Sequence, residues 1–116
     1  MKLTKKSKEA FEKWYREFDN EFCINKPLII DDDNYCEYFE DLPLNYQFGV
    51  YVDFFESVGL DVEAIRRAYK RGKDYEWSVL NIEREEVVRS GFSDSRLSAR
   101  ESAVSSANDY YNEIVG

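Results

Sequence analysis

From Leu3 to Phe22 the rings of Phe11, Trp14, Tyr15, Phe18 and Phe22 recur at steps of three and four, while Glu9, Glu12, Lys13 and Arg16 take the other face. That spacing lines up one stripe of a 3.6-residue helix, so the pattern predicts an N-terminal amphipathic helix with its aromatic side toward the core. Thr4 or Ser7 has the chemistry to cap it. Residues 23–34 read as irregular: Pro27 interrupts, Leu28, Ile29 and Ile30 suit a short strand, and Asp31, Asp32, Asp33 and Asn34 suit a turn. A short helical turn at 35–40 follows. Leu44, Phe48, Tyr51, Val52, Phe55 and Val58 return to helical spacing, with Pro43 fit for a first turn and Gly59 for the position past the last one. A central helix over 43–58 is therefore expected. Gly49 inside it is a poor helix former and points to close backbone approach by another element.

Residues 61–71 carry two readings. Asp61 can cap a helix through Tyr69 that ends at Gly72, so local pattern favours helix. Tertiary logic favours strand. Tyr75, Trp77 and Val79 alternate with polar neighbours, Glu86–Phe92 supplies a second strand, and a lone hairpin is only marginally stable without a third. The closing element is a helix from Ser95 to Val115, with Ser98 and Glu101 spaced as a capping box and Ala99, Ala103, Ala107, Tyr110 and Ile114 forming a narrow seam suited to packing on a sheet. The fold class read from this order is α+β: an N-terminal amphipathic helix, a central helix, a small antiparallel sheet of two or three strands and a long C-terminal helix. At 116 residues, without repeats or linker-like stretches, residues 1–116 are expected to form a single domain.

Charge changes the picture by its distribution. Residues 1–16 carry six basic and two acidic side chains, 17–63 carry thirteen carboxylates against Lys26 alone, and 64–116 carry nine of each sign, for a total of −8. An acid block of this kind repels phosphates and speeds encounter with a cationic surface. A second cluster runs the other way: Arg66, Arg67, Lys70, Arg71 and Lys73, near Tyr69 and Tyr75, suit phosphate contact and base stacking. Its plainer reading is a solvated turn paired with acids of the same molecule.

Candidate chemistry is sparse. With no histidine, a Ser-His or Cys-His nucleophile pair is impossible, and two cysteines, Cys23 and Cys36, do not make a zinc set. Free thiols are the expectation. The Asp31–Asp33 run fails the calcium-loop signature, because Tyr35, Cys36 and Leu42 stand where an oxygen ligand, glycine and glutamate are required. No metal, no cofactor and no catalytic residues are expected, and no enzyme. An apolar run of about 18 residues is lacking and the Lys-rich start leads into an amphipathic pattern, so a cytosolic protein without a membrane span is expected.

Leu42-Pro43, the run Tyr46–Leu60, a β-rich stretch, Arg96-x-x-Ala99-Arg100-x-x-Ala103 and Ala107-Asn108-x-x-Tyr111-Asn112 together resemble a group of small accessory proteins from phages and prophages, over about two thirds of the chain. Taken with the small size and the acid block, the resemblance leads to the expectation of a phage-type anti-defence protein of the host-cell cytosol, in particular an anti-CRISPR inhibitor whose partner is a CRISPR nuclease or its guide-RNA complex. The partner-binding residues would be Tyr35, Glu37, Tyr38, Glu40, Asp41, Tyr46, Asp53 and Glu56, carboxylates standing in for phosphates and tyrosines adding contact area. From residue 43 onward the element order is also similar to the double-stranded-RNA-binding domain, whose last helix begins with a basic cluster set against phosphates. That layout implies a nucleic-acid module using Arg66, Arg67, Lys70, Arg71, Lys73, Arg96 and Arg100, although Asp94 and Glu101 dilute the second cluster. A phage structural or assembly role is the third reading.

Overall fold

The computed structural model describes residues 1–22, 39, 41–67 and 74–115. Helix α1 spans Lys5–Phe22, α2 Leu44–Ser57, and three strands follow: β1 Leu60–Arg66, β2 Tyr75–Asn81 and β3 Glu86–Ser93, before α3 at Arg96–Val115. The α+β layout read from the sequence is the observed one, with three strands in the sheet. They form a single antiparallel meander in the order β1-β2-β3. Leu60 lies opposite Asn81 and Arg66 opposite Tyr75, while Tyr75 lies opposite Ser93 and Asn81 opposite Glu86, with a bulge at Val79/Leu80. The earlier irregular stretch, the helical turn at 35–40 and both cysteines fall outside the described residues, apart from Phe39.

The ambiguity after Gly59 resolves as strand over Leu60–Arg66, and 68–71 lies outside the described residues. Leu60 and Val62 are buried while Glu63 is exposed. A period of two satisfies both the burial of these side chains and the ladder with β2, whereas a helix here would leave β2 and β3 as an unsupported hairpin. Helix α2 ends as its sequence implies, with Gly59 at φ 92° in the left-handed region that suits glycine just past a helix.

The core lies between the sheet and the helices and is mostly aromatic on the α1 side. Phe11 meets Phe39, Tyr51 and Phe54 at ring-centroid distances of 5.1, 5.0 and 5.3 Å, and Phe39 also meets Tyr15 at 5.1 Å. Aromatic rings pack favourably at such offset and edge-on separations. On the sheet side Ala99, Ala103 and Ala107 of α3 are fully buried, so the helix backbone approaches the strands closely. The seam ends at Tyr110. Ile114, which the sequence placed on it, is 55% exposed. Tyr110 is instead fixed from the strands, where Asn81 Nδ2 donates to its hydroxyl at 3.0 Å and the Arg89 guanidinium lies 5.3 Å from its ring centre.

Two capping expectations need correction. Helix α3 is capped by Ser95, whose Oγ accepts from the Ser98 N–H at 3.1 Å, and Ser98 lies inside the helix. Helix α1 is capped by another helix. Asn108 Oδ1 accepts from the Thr4 N–H and Asn112 Oδ1 from the Ser7 N–H, both at 2.9 Å, while Asn108 Nδ2 donates to Thr4 Oγ1 and Asn112 Nδ2 to the Thr4 carbonyl. Ser7 is fully buried, and its hydroxyl has no hydrogen-bond partner among the described residues, so it is not a cap. The first-turn N–H groups of a helix need acceptors, and here α3 supplies them. Asn108→Ala should therefore lower the unfolding free energy by about 1–2 kcal/mol, measured by urea titration. A change near zero would show that the chain start is held by something else.

Candidate partner-binding surface

Helix α2 sorts its side chains by period. Gln47, Val50, Tyr51, Phe54 and Phe55 are buried, and the opposite side presents Asn45, Tyr46, Gly49, Asp53 and Glu56 to solvent. Positions 46, 49, 53 and 56 follow one another at steps of three and four, which puts them along a single outer face. Tyr46 is 52% exposed. Asp53 and Glu56 take part in none of the ion pairs formed among the described residues, which join Lys6 to Glu9, Lys8 to Glu12, Arg67 to Glu76 and Arg89 to Glu113. Asp41, just before the helix, is exposed and likewise outside these pairs. Of the eight acidic and aromatic residues nominated from the sequence, these four are described and four are not: Tyr35, Glu37, Tyr38 and Glu40 lie outside the described residues.

The close approach expected at Gly49 is not found among the described residues. A Cβ there would meet no atom within 4 Å, and the residue is exposed. Glycine at this helical position costs about 1 kcal/mol relative to alanine. Its visible consequence is a shallow depression on the outer face, lined by Asn45, Tyr46, Phe48, Val50, Val52 and Asp53. The sequence signalled the glycine but not which side of the helix it occupies.

The rest of the described acid block does not join this face. Asp61 and Glu63 alternate with the buried Leu60 and Val62 and so lie on the outer side of the sheet, away from the helices. That sheet side also exposes Ile65, Val87 and Phe92, which the sequence reading did not single out; cross-strand register brings Ile65, Glu76 and Phe92 into one row. The described carboxylates of the block are therefore spread out, with Asp53 and Glu56 on α2, Asp61 and Glu63 on the outer side of the sheet and Glu17 on α1.

Topology unites the two basic clusters that sequence keeps about thirty residues apart. The end of β1, the start of β2 and the start of α3 share one end of the domain, where the Arg67 N–H donates to the Asp74 carbonyl. Three of the described guanidinium groups there have a neighbour within the molecule, although the buried Nε of Arg67 and of Arg100 has no hydrogen-bond partner among the described residues. Arg67 pairs with Glu76 at 3.9 Å, Arg96 lies 6.0 Å from the Tyr75 ring centre, and Arg100 lies 5.0 Å from that of Phe48. Cation–π contacts of this kind fix α3 to β2 and α2. Arg66 is exposed. Lys70, Arg71 and Lys73 lie outside the described residues.

No family model, curated protein or solved structure matches the chain. Among the described residues there is no group of three or more metal-ligating side chains, and no helix is long and apolar enough to cross a membrane.

Proposed function

We propose that the protein is a non-enzymatic binding module that uses the outer face of α2 to engage a basic surface on a partner protein. One observation carries the reading: Tyr46, Asp53 and Glu56 stand exposed along one helical face, and the two carboxylates form no ion pair among the described residues. Unpaired carboxylates beside an exposed tyrosine suit a cationic partner, because charge steers encounter and the ring supplies desolvated contact area. The narrower form of the proposal names the partner as a nucleic-acid-guided nuclease of host defence, which makes the protein an anti-CRISPR type of inhibitor. The resemblance of 42–112 to phage accessory proteins motivates that form, and a basic nucleic-acid channel is a surface of the required sign.

The test is binding of the full chain to a panel of such nucleases across a salt series. Asp53→Lys combined with Glu56→Lys should weaken binding about tenfold or more, mainly through slower association, with little effect on thermal stability at these exposed positions. Binding that ignores both salt and the double reversal would remove the electrostatic reading.

The shared basic end of the fold favours a second reading, a module that binds RNA or DNA. Its weakness is the engagement of Arg67, Arg96 and Arg100 within the molecule. A gel shift with double-stranded RNA at low salt separates the two. Tight binding that is lost on Arg66→Glu with Arg67→Glu, and kept on reversal of Asp53 and Glu56, would put this reading first.

A further inference from the structure

Packing among the described residues gives no reason for glycine at position 49. Its backbone is not in the left-handed region, a Cβ would sit in open space, and the position is exposed in the second turn of α2. What glycine does produce is the depression, whose rim is the six residues that surround position 49 on a helix surface. Its floor is bare backbone. Tyr46 and Val52 flank it, and the Asp53 carboxylate stands one turn beyond the floor. On the Phe48 side the guanidinium of Arg100 already covers the ring. The chemistry left open among the described residues is therefore one aromatic ring, one aliphatic wall and one carboxylate outside their ion pairs.

We infer that this depression receives an arginine side chain of the basic partner, its aliphatic stem crossing Gly49 between Tyr46 and Val52 and its guanidinium meeting Asp53. The inference rests on the reading of α2 given above and specifies the partner group. Arginine suits the three elements better than lysine, since a planar guanidinium stacks on a ring while pairing with a carboxylate, and an ammonium does not. A second copy of this chain is a poor occupant. Its net charge is −8, and bringing the same helix face close would set Asp53 and Glu56 against their own kind.

The test uses the full chain, labelled with nitrogen-15, and acetylated hexa-arginine and hexa-lysine peptides as probes. Amide shift changes with hexa-arginine are expected to centre on residues 45–53, with hexa-lysine weaker there by about fivefold. Gly49→Leu fills the depression with a strong helix former, so it should raise or preserve the melting temperature while weakening hexa-arginine binding at 45–53 by about tenfold. Equal binding of the two peptides overturns the arginine assignment. Binding at 45–53 that Gly49→Leu leaves within about twofold overturns the depression as its seat. If Asp53→Lys with Glu56→Lys still weakens that binding, the acidic face of α2 survives and only the arginine site is lost; no shift change at 45–53 with either peptide overturns both.

Discussion

Phe54→Ala should lower the unfolding free energy by about 3–5 kcal/mol, a large part of the roughly 5–15 kcal/mol that holds a domain of this size together. Phe54 is fully buried, and its ring stands 5.3 Å from Phe11, 5.7 Å from Trp14, 5.0 Å from Phe55 and 6.5 Å from Tyr111 by centroid. It is thus where α1, α2 and α3 meet. Truncation removes its transfer free energy and leaves a void that rings fixed on three helices fill poorly. Urea titration reads the loss directly, with an unchanged slope if the transition stays two-state. A cost below about 1 kcal/mol would mean the aromatic layer collapses freely and is not the tightly packed centre described above.

Gly91→Ala should cost about 1–3 kcal/mol although it adds one methyl group to a half-exposed strand. A Cβ at Gly91 would lie 2.7 Å from Cζ2, 2.8 Å from Cε2 and 2.9 Å from Nε1 of Trp77, its partner across the β2–β3 ladder. The body of the indole sits over the glycine, so relief requires the whole ring to move. Trp77→Leu in the Gly91→Ala background should recover part of the loss, giving a coupling of at least about 0.5 kcal/mol in a double-mutant cycle. Strict additivity of the two changes would show that the ring is free to leave.

How far the sequence could be read follows from the kind of signal each element carries. Helices α1, α2 and α3 announced themselves because their apolar residues recur at a helical period over many turns, and β2 because Tyr75, Trp77 and Val79 alternate without interruption. The stretch after Gly59 was open because its local pattern supports a helix. Only the need of β2 and β3 for a neighbour decided it, and that is a tertiary fact. The caps were misassigned for a related reason. Serine and threonine at helix starts are the local signal, whereas Asn108 and Asn112 serve a helix begun more than a hundred residues earlier. In the sequence those asparagines stand only within the run Ala107-Asn108-x-x-Tyr111-Asn112, which carries no local capping signal.

The candidate surface was partly legible. Asp53, Glu56 and Tyr46 were nominated by charge and residue type, and the helical period then decided that they face outward together. Charge alone did not reveal that Asp61 and Glu63 lie on the other side of the molecule, because that depends on which layer each element joins. Nor did it reveal that the guanidinium groups of Arg96 and Arg100 lie over the rings of Tyr75 and Phe48, contacts made across elements far apart in sequence.

Because the Thr4 and Ser7 amides donate to Asn108 and Asn112 of α3, the start of α1 lacks these partners until α3 has been synthesised. During synthesis the aromatic stripe of α1 can meet Phe39, Tyr51 and Phe54 well before the asparagines that hold its first turn are made. A nick ahead of Asn108 would leave the start of α1 without these two acceptors.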